Sequence, residues 1–413
     1  MATAQDTLLA KAMKEDPGAE YGLSQIPFPS LELNNRYVRV GQHQFYNICT
    51  KNLQYSAQGS VSNLISNGGS VDIRIPARSF AYADHMTLHL RIANSTGAAT
   101  TLVPARWLFN RIEVWANNGQ RKIADIMPEE LWASTALFSP DQWEHHSALE
   151  NTTSDWGAPT AISDGSTVDY YVRLTGNIFG QIKLPMMALD GDLVIRPYFE
   201  PFTKTNAASG AAPTLTALNV IFNCVVLDQK DYLLKQAEYR SKPHIYDYLD
   251  GIRQLWPAQS ISAGQSLELR LSGIRGRIPG LFVFVRANNP SGANLYSFTD
   301  LDNCTFDLLT PNGDSMLIYQ PSGRFLRYHE FSERFVSSRF GKNVKMYFLS
   351  FSTDPVADLT SGTCFGYQVL TGDERIRINF DAAFTPGTYE VGVLIYKCSE
   401  MIVDTNGIAR STE

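Results

Sequence analysis

The residues of this chain best suited to chemistry never stand at a spacing that would let them do it. Asp300-Leu-Asp302-Asn-Cys-Thr-Phe-Asp307 comes nearest to a metal loop, because carboxylates on alternate residues are how a calcium loop delivers its oxygens. Cys304 stands where a further oxygen is needed, however, and no glycine allows the sharp turn. Glu144-His145-His146 puts two imidazoles side by side, whereas a helical metal pair needs i,i+4 to share a face, so the triplet reads as a surface loop. Gly273, Gly276 and Gly280 with Arg275 and Arg277 could cradle a phosphate, but the spacing fits neither phosphate-binding pattern and no Lys-Ser/Thr follows. They read as a loop between strands. No serine has glycine two places before and two after it, as a hydrolase elbow requires. Trp107, Trp115 and Trp143 could stack on bases or sugars, but lacking a basic surround they read as core or subunit contact. The expectation is a protein that is not an enzyme, with no catalytic, cofactor or metal residues.

Composition points the same way. Lys plus Arg total 35 against 41 Asp plus Glu, a net charge of −6 with no long block of either sign, which argues against sequence-specific nucleic-acid binding. The five cysteines, Cys49, Cys224, Cys304, Cys364 and Cys398, are widely spaced and form no C-x-x-C pair. They are expected to be buried free thiols, so that reductants and chelators would leave stability unchanged. No N-terminal stretch resembles a signal peptide and no run of about 18 apolar residues could span a bilayer, which implies synthesis in a reducing cytoplasm. The sequons at Asn94 and Asn151 then carry no meaning.

What the sequence does spell is strands. Val71, Ile73 and Ile75 alternate with Asp72 and Arg74, and Met86, Leu88, Leu90 and Ile92 with Thr87, His89 and Arg91. The same period returns at Leu267, Leu269 and Leu271, at Ile376, Ile378 and Phe380, and at Tyr389, Val391, Val393 and Ile395. Between such runs stand turn dipeptides: Asn67-Gly68, Asn118-Gly119, Asp164-Gly165, Asp190-Gly191, Asp250-Gly251 and Asn312-Gly313. The class is all-β. At 413 residues the chain exceeds one core, so two large domains are expected.

Residues 1–35 hold a helix over 5–16, with Leu8, Leu9, Ala12 and Met13 on one side beside Lys11 and Lys14, and then an extended arm. The first β-domain spans 36–227, with a helix from Pro128 whose Glu129 and Glu130 suit the helix dipole. Residues 228–250 form a connecting helix and linker, in which Asp228 is the N-cap, Asp231 and Lys235 pair, and Leu233, Leu234 and Ala237 are apolar. Pro243 ends that helix. The second β-domain covers 251–403, with an irregular stretch near Tyr319 to Lys342, and 404–413 is a polar tail.

Four blocks, taken in order, carry a resemblance. They are Met86 to Asn94 with Leu108-Phe-Asn-Arg-Ile-Glu-Val-Trp-Ala-Asn-Asn-Gly-Gln-Arg121 and a helix; Gly180-Gln-Ile-Lys-Leu-Pro185 with Asp192-Leu-Val-Ile-Arg196 as paired strands; Asn223 to Lys235 as a strand-to-helix junction; and Gly387-Thr-Tyr-Glu-Val-Gly-Val-Leu-Ile-Tyr396 as a final strand. In this order and over nearly the whole length, the chain resembles the double jelly-roll major capsid proteins of the tectivirus/adenovirus lineage, above all those of tectivirus-type phages with an internal membrane. The first-roll loop region from Ser139 to Thr167 is longer than that pattern.

The resemblance implies two consecutive eight-stranded jelly rolls and a homotrimer of roughly hexagonal outline. It implies further an icosahedral shell built with neighbouring capsomers, penton and minor capsid proteins, and a location in the virion. The N-terminal helix would then meet an internal viral membrane through Leu8, Leu9, Lys11, Ala12, Met13 and Lys14. The competing reading is a carbohydrate-binding or carbohydrate-active β-sandwich, since jelly rolls also host sugar sites.

Overall fold

The computed structural model describes residues 49–153, 158–208, 210–335, 344–404 and 407–410. The N-terminal helix candidate and the arm after it, including Leu8, Leu9, Lys11, Ala12, Met13 and Lys14, lie outside the described residues.

The first half supplies β1 (Cys49–Ser56), β2 (Gly69–Ser70), β3 (Ile73–Ile75), β4 (Tyr82–Ala93), β5 (Phe109–Ala116), β6 (Arg121–Ile126), β7 (Thr167–Leu174), β8 (Leu193–Phe199) and β9 (Thr214–Val226). One antiparallel sheet runs β1-β9-β4-β7; the other runs β2-β8-β5-β6, with β3 also on β8. Apart from the β5-β6 hairpin, neighbours in each sheet are distant in sequence and the chain crosses between sheets, which is a jelly roll. Met86, Leu88, Leu90 and Ile92 of β4 are buried in one core with Ile73 and Ile75 of β3 and Ile112 and Val114 of β5, as their alternation requires. Asn118 and Gly119, at φ 60° and 84°, turn β5 into β6.

The linker helix, Gln229–Ser241, starts where the Asp228 carboxylate accepts from the Asp231 amide at 2.9 Å. Its ion pair differs from the expected one: Lys235 meets Glu238 at 2.6 Å, not Asp231.

The second half supplies β10 (His244–Ile261), β11 (Ser266–Arg270), β12 (Arg275–Ile278), β13 (Gly280–Ala287), β14 (Thr305–Leu309), β15 (Tyr347–Ser350), β16 (Gln368–Thr371), β17 (Arg375–Asn379), β18 (Gly387–Asp404) and β19 (Gly407–Arg410). One sheet runs β10-β18-β13-β15 with β19 on β18, and the other runs β11-β17-β14, prolonged by the β12-β16 ribbon. The strand order of the first roll is thus repeated. Among the described residues the place of the sixth strand is taken by helical turns, Phe325–His329 and Glu330–Arg334, inside the stretch read as irregular. The stretch read as a tail includes β19, which pairs with Met401 to Asp404.

Several local readings are corrected. Asp250-Gly251 is no turn but the middle of β10; a Cβ on Gly251 would lie 2.6 Å from the Glu130 carboxyl carbon, so the glycine serves close approach. Gly276 and Gly280 lie in β12 and β13, leaving only Gly273 in a loop. Gly180 to Pro185 is not a strand: Ile178–Gln181 is a helical turn capped by the Asn177 side chain. Glu144-His145-His146 is helical, within Pro140–Leu149, because Ser139 and Gln142 form a reciprocal capping box. The cysteines are not all free either. Cys364 and Cys398 form a disulfide, Cys224 and Cys304 are buried thiols, and the Cys49 side chain lies outside the description. Two residues 34 apart in sequence meet only because β18 returns beside the Pro355–Ser361 helix, which spacing alone does not reveal.

Candidate functional site: the junction between the rolls

The densest cluster of buried charge lies where the two rolls meet. Pro128–Ala133 is a short helix of the first roll with proline in its first turn and acidic residues at its start. It presents Glu129, fully buried, to the second roll: Arg253 of β10 donates to its carboxylate at 2.9 Å, and Arg286 of β13 lies 3.2 Å away. Arg286 also reaches Glu390 of β18 at 2.6 Å and donates to the Leu295 carbonyl at 3.0 Å, with the Trp107 ring 5.7 Å from its guanidinium. Burial drives the Glu129 carboxyl upward, but the Arg253 and Arg286 charges outweigh it and hold the group below its ordinary range. Glu130 fares oppositely. It is buried too, with Asp250 as a like charge nearby, and both effects push its carboxyl well above the ordinary range.

Around these charges the junction is apolar and aromatic. Trp107 meets Phe298 at 6.1 Å between ring centroids, Phe298 meets Phe284 at 5.0 Å, and Trp132 meets Tyr296 at 6.1 Å. Phe282, Phe284, Leu394 and Tyr396 belong to the core shared with the first roll, while Leu281, Val283, Val285, Val393 and Ile395 fill the second roll's own core. Strand β13 and residues 391–396 of β18 are therefore buried on both faces. The Gln181 side chain accepts from the Leu249 amide at 2.7 Å, adding a polar stitch between the rolls. The junction turns its donors and acceptors on one another. It makes two rolls a single block.

The positions singled out for chemistry are used structurally. Asp300 and Asp302 each lie 3.1 Å from Arg327, Lys345 is 3.5 Å from Asp300, and Asp307 accepts from Ser315 and Gln320. Among the described residues no group of three or more His, Cys, Asp or Glu side chains could hold a metal ion. His146 stacks on Phe138 at 4.4 Å, and burial, with Arg106 nearby, drives its imidazole down to about 4. Trp107 and Trp143 are core residues, whereas Trp115 is half-buried and donates to Glu113 at 3.1 Å. Asn94 and Asn151 both donate their side-chain amides to backbone carbonyls. The junction residues Arg253, Arg286 and Glu390 escape sequence reading. The available signal was one arginine closing the apolar run Leu281 to Val285.

The fold so described is the double jelly roll of viral major capsid proteins. The chain superposes on PBCV-1 VP54, fitted into a reconstruction of the virophage Sputnik, with a TM-score of 0.67 and 14% identity, covering 90% of this chain and 98% of that one. A chain of the PBCV-1 virus capsid gives 0.66 at 14% identity with 90% and 98% covered, and the Faustovirus major capsid protein 0.62 at 10% with 97% and 98% covered. No protein-family model and no curated protein sequence matches the chain.

Proposed function

We propose that this chain is a viral major capsid protein, a structural subunit without enzymatic activity, that assembles as homotrimers into an icosahedral shell around an internal membrane. The observation that supports this most is the pair of rolls locked into one block: nearly the whole chain matches capsid subunits, and its buried polar groups are spent on cohesion. In this reading the block comprises 36–227 and 251–403, joined by 228–250. Residues 1–35 serve assembly, and Leu8, Leu9, Lys11, Ala12, Met13 and Lys14 contact the membrane. The trimers meet neighbouring capsomers, penton and minor capsid proteins, and the protein ends in the virion after synthesis in the host cytoplasm. Light scattering on the purified protein tests the trimer: a mass near three times 46.0 kDa is expected, and a monomer at micromolar concentration would refute it. Negative-stain electron microscopy of concentrated protein tests the shell.

A further inference from the structure

The linker helix is amphipathic in the reverse sense. A surface helix normally turns its apolar stripe to the core and its polar face to water. In Gln229–Ser241 the inward side is polar or aromatic: Tyr232 donates to the Arg78 carbonyl at 3.0 Å, Gln236 to the Met187 carbonyl at 3.3 Å, and the buried Tyr239 hydroxyl bonds that of Tyr246. The outward side carries Leu233 and Leu234, 54% and 60% exposed, with exposed Ala237 one turn on. Lys230, Arg240 and Lys242 flank them, all exposed, and none forms an ion pair among the described residues. Of the acids here, Asp228 caps the helix and Glu238 takes Lys235, while half-buried Asp231 stands beside Lys230 and leaves the three cations in excess.

We propose that this face docks on an anionic lipid surface, the two leucines entering the headgroup boundary and the three cations meeting lipid phosphates. The charge decides the occupant. A net −6 chain presents here an apolar pair flanked by three cations, without ion pairs among the described residues, against the single acid Asp231, which is the composition of an interfacial helix and complements an acidic leaflet. The inference rests on the internal-membrane reading given above and assigns the contact to residues far in sequence from the N-terminal segment.

Flotation of the full-length protein with vesicles of phosphatidylcholine alone, or mixed with phosphatidylglycerol, tests it. The wild type should float with the anionic vesicles, and less so as salt rises. Leu233→Ser combined with Leu234→Ser should weaken partitioning by about tenfold or more. Lys230→Glu with Arg240→Glu should remove the preference for anionic vesicles, about fivefold or more per cation. Both variants should keep the wild-type melting temperature and mass, because the substituted side chains are exposed. If the leucine variant floats as the wild type does while deletion of residues 1–17 abolishes flotation, the inference falls and the membrane reading stands. If the wild type floats with neither vesicle, the membrane reading itself falls. If the leucine variant floats normally but loses its oligomeric mass, the face docks protein and the lipid assignment is wrong.

Discussion

Strands β4 and β13 hold the same place, third in the order of their sheets, yet they are written in different codes. In β4 the core side is Met86, Leu88, Leu90 and Ile92, while Thr87 and Arg91 face outward, because one side of that sheet meets the core and the other is partly open. In β13 every residue from Gly280 to Arg286 is buried: Leu281, Val283 and Val285 enter the second roll's core, and Phe282 and Phe284 enter the junction. A strand covered on both faces loses its alternation and reads as a continuous apolar run. Whatever charge it carries must be matched inside. The same topology therefore tolerates exposed ion pairs on β4 and demands a buried network at Arg286.

The sharpest test of that difference is Glu129→Ala. It takes the shared carboxylate from Arg253 and Arg286, and removing one partner of a buried pair costs about 3–5 kcal/mol, here toward the lower end because Arg286 keeps Glu390. Denaturant unfolding should show a large loss of stability. A loss below about 1 kcal/mol would mean that water reaches the junction and that the rolls are held by aromatic packing alone.

The contrast between the strands also explains what sequence could and could not tell. Alternation located β4, β11, β17 and the inner face of β18, because a half-buried strand displays its face in every second residue. The order of blocks then gave the two-roll architecture. Asp250-Gly251 misled because a glycine needed for close approach to Glu130 looks like one needed for a turn. The exposure of the linker leucines was not legible either, because helical spacing shows which residues share a face, not whether that face is covered. Partners such as Glu129 and Arg286 lie in different rolls, and only the folded pairing of β10, β18 and β13 brings them together.

The disulfide belongs wholly to the second roll, so it offers a second asymmetry. Closing a loop over a separation of 34 residues is worth about 3–4 kcal/mol in the chain-entropy account, and dithiothreitol should lower the melting temperature accordingly. Cys364→Ser should reproduce that shift and make the protein insensitive to reductant. An unchanged melting temperature on full reduction, verified by thiol titration, would show the bridge to be energetically silent.

Titration separates the junction from the open face as well. Glu130 keeps its proton in the folded protein well above the ordinary carboxylate range, whereas the unfolded chain gives it up within that range. Over that interval the unfolded state binds fewer protons, so stability should fall as pH rises. Glu150, pushed by burial to about 7, pulls the same way until it ionises. Glu130→Gln should leave the melting temperature near wild type at about pH 5 and raise it at about pH 8, since every tenfold difference in proton affinity between the folded and unfolded states is worth about 1.4 kcal/mol. An identical pH slope in the variant would remove Glu130 as its source.

The smallest effect is expected on the open face of β4, where Asp169 of β7 lies 2.7 Å from His89 and 2.8 Å from Arg91. The Arg91 hydrogen bond, ahead of the one from His89, holds this carboxyl below its ordinary range. The sign is opposite to that of Glu130: the contribution is present above the ordinary carboxylate value and is lost as acid protonates the folded-state group. Its size is small because Asp169 and Arg91 are 33% and 51% exposed, and water screens such pairs to about 0–1 kcal/mol. His89 still keeps its Asn219 contact at 3.0 Å and its stack on Tyr171 when the carboxylate is removed. Asp169→Ala should therefore cost about 0–1 kcal/mol at neutral pH, less in high salt, against the several expected at Glu129. Similar losses at the two sites would mean that the β4 face is as dry as the junction, covered by something that the single chain does not supply, and the distinction between the two sheets would fail.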